Sequence, residues 1–265
     1  MNYIWKEWLE QSRGKGLWLG LAMIVLISSF LLLEARSYPS ELGFDAFLLS
    51  LHDMNIYLIP IFGLFLSSFS IFQERELKTS MILLTKRESF RSLLFKKSLA
   101  IQTVLIGTFV VWYFILAVFM KFFLQFQLSS FLYFVLTVTV LLLIFNQIGL
   151  FLGSICNTKM QLIGTVIFTW FLFIFLIDLV FLQFIPSVSY QNVKIFSWFY
   201  FLDPIHTLQL FLETSLGLFS LSNMSQIMQK MIWLNPGIFL LIDVVLWVVV
   251  FFELSILLRS KGERL

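Results

Sequence analysis

Six long apolar runs constrain this chain more than any other feature, near Leu17 to Leu33, Met54 to Phe72, Leu99 to Phe119, Phe131 to Leu152, Leu162 to Ile185 and Gly237 to Leu258. Each has roughly the 20 residues that a helix needs to cross the hydrocarbon core of a bilayer. A backbone in hydrocarbon must satisfy its own hydrogen bonds, and a helix does so within one segment. The expected fold class is therefore an all-α membrane protein, one transmembrane domain over residues 1 to 265 with six transmembrane helices. Composition agrees: 60% of the residues are hydrophobic and 12% are charged, against about 45–50% and about 25% in soluble domains. That balance excludes a soluble enzyme, a disordered scaffold and a nucleic-acid-binding module.

The charges orient the spans. Loops on the cytoplasmic side of a membrane retain Lys and Arg. One face collects Lys6, Arg13 and Lys15, then Arg75, Lys78, Lys86, Arg87, Arg91, Lys96 and Lys97, then Lys159, and finally Arg259, Lys261 and Arg264. The other has only Arg36, Lys121, Lys194 and Lys230, a partition of 14 to 4. Both termini and the loop over 73–98 are therefore expected in the cytoplasm, and the net charge of +3 reflects topology rather than affinity for an anion. A cleaved signal peptide is not expected, because Glu7 and Glu10 interrupt the basic region and the flank Leu33-Glu34-Ala35-Arg36 lacks a small-x-small site.

Apolar residues outside the spans fall at helical spacing. Trp5, Trp8 and Leu9 share one face of an interfacial helix over 2–13, which turns into the membrane at Gly14 to Gly16. Met81, Leu84, Phe90, Leu93 and Leu94 recur among the charges of the loop over 73–98 and need a partner to pack on. In the outer segment over 186–236, Asp203-Pro204 and Asn235-Pro236 each pair an N-cap residue with proline at the first helical position. The first is expected to open an amphipathic helix carrying Leu208, Phe211, Leu212 and Phe219, and the second to open the last span. Between them Met224, Ile227, Met228 and Met231 form a short stripe. Gly16 and Gly20, and Gly149 and Gly153, have the spacing that lets helices approach closely, and packing within the chain is expected to use them.

The chain lacks the phosphate loop G-x-x-x-x-G-K-[ST], so any ATP would be bound by another subunit. It also lacks H-E-x-x-H and G-x-S-x-G, has only two histidines, His52 and His206, and one cysteine, Cys156; no catalytic residue is expected. Ionisable residues inside spans are functional hypotheses by default. Asp178 and Asp243 each lie about 10 Å from the outer end of their spans, at a rise of about 1.5 Å per residue. They could line an outer vestibule or serve an ion-coupled carrier; equally, each could hydrogen-bond a neighbouring helix, with no basic span residue available as partner. Glu253 is expected to pair with Arg259.

After the second span the sequence reads Glu74-Arg75-Glu76-Leu77-Lys78-Thr79-Ser80-Met81-Ile82-Leu83-Leu84, followed by Ser89, Arg91 and Lys96-Lys97. This resembles the E-R-E-x-G-T-x-x-x-L-L signature of type-2 ABC transporter permeases, with Lys78 where glycine is usual and Arg87 where proline is usual. The resemblance implies an amphipathic elbow helix, six spans and a coupling helix that inserts into a partner ATPase, with Glu74, Arg75, Glu76, Thr79, Leu83, Leu84, Arg87 and Arg91 as coupling residues. It implies ATP and Mg on ABC ATPase subunits, a second permease copy in a homodimer, and the bacterial cytoplasmic membrane as location. Leu202-Asp203-Pro204-Ile205-His206 further resembles an element of NosY-type permeases, which act with a periplasmic partner protein in copper-site maturation of nitrous oxide reductase. With copper as cargo, His206 and the thioethers of Met224, Met228 and Met231 would suit Cu(I), although methionine also fills apolar faces. Two other readings stay open: a stand-alone ion-coupled carrier using Asp178 and Asp243, and a non-transporting scaffold or immunity factor.

Overall fold

Residues that are good helix formers flank the apolar runs, so the helices continue past the hydrocarbon they are suited to. In the computed structural model, which describes residues 3–37, 43–76, 90–218 and 226–262, the elbow helix α1 (Tyr3–Arg13) leads through Gly14 into the first span, α2 (Lys15–Ala35). The second and third spans, α3 (Gly43–Glu76) and α4 (Phe90–Phe123), have 34 residues each. At about 1.5 Å per residue they reach roughly 50 Å, well beyond a hydrocarbon core of about 30 Å. The loop expected over 73–98 is correspondingly shorter: helix persists through Glu76 and resumes at Phe90, and residues 77–89 lie outside the described part. The fourth span is α5 (Leu128–Ile155).

The fifth span is built in pieces. It runs through α6 (Lys159–Phe171), a π-helical turn (Leu172–Leu176), α7 (Ile177–Phe184) and a 3₁₀ turn (Ile185–Ser187). The segment over 186–236 then forms α8 (Val193–Tyr200), which the sequence reading lacked, α9 (Pro204–Ser215) and α10 (Gln226–Met231), and the sixth span is α11 (Pro236–Gly262). Asn235 caps α11 as its sequence suggests, its Oδ1 accepting the Gly237 amide at 3.0 Å. Among the described residues there is no strand, and six long apolar helices could span a membrane.

Span 4 is the hub, packed on α3, α4, α9 and α11. Its closest approach is to α3, and glycine permits it. A Cβ on Gly153 would lie 2.3 Å from the carbonyl oxygen of Ser68, and one on Gly149 would lie 2.0 Å from Ser67 Oγ. Gly20 plays the same part between spans 1 and 2, against the ring of Phe62. The small-residue spacings thus serve packing within the chain. Phe134, Phe145, Leu141 and Ile148 of span 4 are buried with Phe47, Leu51 and Ile59 of span 2 in the main apolar core. Spans 5 and 6 are the least buried of the six.

Candidate functional site

At the end of the bundle that carries α1, charged side chains draw together the helix ends that flank residues 77–89 in sequence. Glu74 Oε1 accepts from Lys6 of α1 at 2.9 Å and from Lys97 of α4 at 3.0 Å, while Glu10 of α1 lies 3.4 Å from Lys6 and 3.7 Å from Lys97. The Lys97 side chain is only 1% exposed, and a buried cation persists only when it is paired. Burial pulls the Lys6 pKa down, but hydrogen bonding and charge from Glu74, with help from Glu10, outweigh it, so the net shift is upward.

The neighbouring residues reach the other spans. The Arg75 guanidinium donates to the carbonyl oxygens of Ser154 at 2.5 Å and Cys156 at 3.1 Å, and more weakly to Gly153 at 3.4 Å. These belong to the C-terminal end of α5, where unsatisfied carbonyls attract a cation. Glu76 lies 3.1 Å from Lys159 at the start of span 5. On the far side of the segment, Arg91 donates to Glu253 of α11. Glu253 and Arg91 thus face one another across two helices; the side chain of Arg259, the partner expected from sequence, lies outside the described residues. Of the other coupling residues expected from sequence, Thr79, Leu83, Leu84 and Arg87 lie outside the described residues.

A second polar constellation lies at the opposite end. His206, on the first turns of α9, has Nδ1 2.5 Å from Asp203 Oδ2 and Nε2 3.1 Å from Asp178 Oδ1. A ring with a proton on each nitrogen donates to both carboxylates. Asp178 therefore has a partner on a neighbouring helix, one of the alternatives left open by its sequence, and that helix is α9 rather than another span. Asp203 is buried; desolvation raises its carboxyl pKa, partly countered by His206. The Ile205 backbone N–H also lies against this carboxylate, whose second oxygen, Oδ1, is buried. Asp243 of α11, also buried, lies against Thr207, whose hydroxyl donates to the Phe201 carbonyl at 3.0 Å. Asp178 and Asp243 are thus brought to successive residues of α9 rather than to each other. Tyr200 packs on the His206 ring at 4.1 Å, and burial together with Asp178, Asp203 and Glu213 pushes its phenol up to about 12.

The donor atoms of Asp178, Asp203 and His206 lie within 4.8 Å of one another. Two carboxylates and an imidazole suit a hard or borderline divalent cation better than Cu(I). Met224 and the side chain of Met228 lie outside the described residues, and Met231 is held by its backbone, its carbonyl accepting from Ser197 Oγ at 2.6 Å. Beside this constellation an apolar cleft of about 730 Å³ opens between the π-helical turn, α7 and α8, with Asp203 on its wall.

Sequence reasoning named Lys97 and Asp203 within motifs but gave neither a partner, and it missed the cleft. Lys97 did leave a signal, since Leu93, Lys97 and Ile101 share one face at four-residue spacing and all are buried. Asp203 and His206, three residues apart across a helix start, were also visible as neighbours. The cleft follows from the π-helical turn and from α8, neither of which has a clear sequence signature.

No curated protein matches this chain. The family model of the ABC-2 family transporter proteins matches residues 1–261, nearly the whole length. Charged residues that join the helix ends at the expected coupling segment, the six apolar helices and this match agree, and the chain belongs to the ABC-2 transporter family.

Proposed function

We propose that this chain is the permease subunit of an ABC transporter of the bacterial cytoplasmic membrane, with both termini inside, driven through residues 77–89 by a separate ATPase. The observation that carries the reading is the way this segment is tied at both ends. Glu74 reaches α1 and span 3, Arg75 reaches span 4, Glu76 reaches span 5 and Arg91 reaches span 6. A push on the segment is therefore delivered to most of the bundle at once, as rigid-body rocking requires. Two copies of the chain would work with two ATPases, and the exposed apolar faces of spans 1, 5 and 6 leave room for contact between copies. Asp178 and Asp243 would form an outer vestibule, since both meet α9. The carboxylate setting of His206 gives no reason to prefer copper as cargo.

The test is to co-express the chain with an ATP-binding-cassette subunit encoded beside it and purify the complex. Stable co-purification and ATP-dependent transport in proteoliposomes, both lost in Leu84→Glu, are expected. Transport by the chain alone under a proton gradient, abolished when Asp178 and Asp243 are both changed to Asn, would establish the ion-coupled carrier instead.

A further inference from the structure

We propose that the groove between α1, α2 and α3 is a binding site for one phospholipid with an anionic headgroup, its phosphate at Lys15 and an acyl chain along α3. The inference goes beyond the permease reading but rests on its orientation, with α1 at the cytoplasmic leaflet.

The groove holds about 830 Å³, within the roughly 300–1,000 Å³ of small-molecule sites, and its polar and apolar linings are segregated along its length. Lys6, Glu10, Lys15 and Gln73 line one end, and Leu58, Ile61, Phe65 and Phe69 line the remainder. On α3 the lining extends from Glu74 to Tyr57, about 25 Å at a rise of about 1.5 Å per residue. A leaflet with its headgroups is half of a bilayer of about 40–45 Å, so the groove is as long as one lipid molecule and is polar only where the headgroup lies. Trp170 of α6 closes the apolar end, its Nε1 donating to the Tyr57 carbonyl at 3.0 Å. Leu19, Met23 and Tyr57 on the walls are exposed, so an acyl chain enters sideways from the bilayer.

Charge selects the headgroup. Glu10 and Glu74 at the polar end are engaged by Lys6 and Lys97, and these four charges balance. Lys15 is exposed and makes no ion pair among the described residues, which leaves its positive charge for a ligand. The N-cap of α2 is Gly14, which gives no side chain to the first amides of that helix, and Gly14 and Gly16 line the groove beside Lys15. Amides so placed add to the attraction that the ammonium exerts on a phosphate. Cytoplasmic leaflets are rich in anionic lipids, which basic residues at the surface attract. A lipid seated here ties α1 to the start of span 1 and to the end of span 2, beside the Glu74 group.

The experiment is native mass spectrometry of the full chain in detergent, titrated with phosphatidylglycerol and phosphatidylcholine of identical acyl chains. One phosphatidylglycerol should be retained per chain, preferred about five-fold, roughly what one basic residue contributes against an anionic lipid. Lys15→Glu should remove the preference, whereas Arg13→Glu, the same charge change at an exposed residue that does not line the groove, should keep it. Ile61→Trp, which fills the groove without altering charge, should lower retention of both lipids, and a photoreactive acyl chain should label 15–23 and 57–70. Equal retention of the two lipids by the native chain would mean ordinary bilayer contact and overturn the proposal. Equal loss in Lys15→Glu and Arg13→Glu would do so too, by assigning the preference to diffuse surface charge. So would absent labelling together with a disulfide between Met23→Cys copies, which would give the groove to a second copy of the chain. Because binding is read without the ATPase, a failure here leaves the permease reading standing, and a failure of ATP coupling with lipid selectivity intact strikes only that reading.

Discussion

The ammonium of Lys97 lies 3.0 Å from Oε1 of Glu74, and this pair joins the start of the third span to the end of the second at the level of the elbow helix. Glu74 Oε1 also accepts from Lys6, so one carboxylate oxygen holds three helices. Lys97→Met leaves Glu74 with Lys6 as its remaining partner in this group. Breaking a buried pair costs about 3–5 kcal/mol, and the surviving Lys6 contact places the expected loss at the low end, about 3 kcal/mol. Unfolding of the purified variant in detergent, followed by tryptophan fluorescence against denaturant, measures it; a change within error of zero would show that the pair adds nothing to stability.

Arg75 bonds carbonyl oxygens at the end of span 4 in a geometry that a single ammonium cannot reproduce. Arg75→Lys is therefore expected to behave more like Arg75→Ala than like the native chain. With hydrogen bonds to a charged donor worth about 1.5–3 kcal/mol each, ATP-driven transport should fall about ten-fold or more while ATPase binding persists. Parallel pull-down and proteoliposome assays separate the two quantities, and native transport in Arg75→Lys would remove the residue from the coupling path.

Gly153 offers a test of the packing between spans 2 and 4. Because an added methyl would lie 2.3 Å from the Ser68 carbonyl oxygen, Gly153→Ala must push two backbones apart, and overpacking of this kind costs about 1–3 kcal/mol. Gly164→Ala, where nothing lies within 4 Å of the added carbon, serves as the control and should stay near native. Thermal unfolding of the two variants side by side should rank them in that order.

Glu213 gives a pH dependence of opposite sign to the usual carboxylate. Burial raises its pKa, with the neighbouring Asp53 adding to the shift and a hydrogen bond from Gln209 at 3.0 Å opposing it. The folded state then holds the proton to higher pH than the unfolded state, whose Glu titrates near about 4.3. Its contribution to stability is complete below that value and is lost as pH rises through the folded pKa. Relative to Glu213→Gln, the native chain should lose stability over this window, read from unfolding curves at successive pH values; parallel curves would contradict the shift.

Local residues made several elements legible in advance. The apolar runs gave the six long helices because each segment's partition into hydrocarbon depends on its own side chains and on little else. Trp5, Trp8 and Leu9 gave the elbow, and Asn235-Pro236 gave the start of the last helix, since amphipathic period and capping are both properties of a few consecutive residues. Helix ends were harder. The loop over 73–98 looked long because its charges suggest solvent, yet Lys97 is buried and paired with a largely covered Glu74, and pairing is invisible until the two helices are set side by side.

The same distinction separates what was fixed by sequence from what was decided by the tertiary structure. Composition, span length and periodicity alone determined an all-helical membrane chain, and the residues around Glu74-Arg75-Glu76 alone suggested the segment proposed to couple to an ATPase. Only the packed structure decided that Glu253 meets Arg91, that Asp178 meets His206, and that Asp203 is buried beside an apolar cleft. The reason is physical. Partitioning is a sum over residues of one segment, whereas an ion pair between helices depends on their relative depth and rotation, and these are set by contacts such as Gly153 against Ser68 that neither segment specifies by itself.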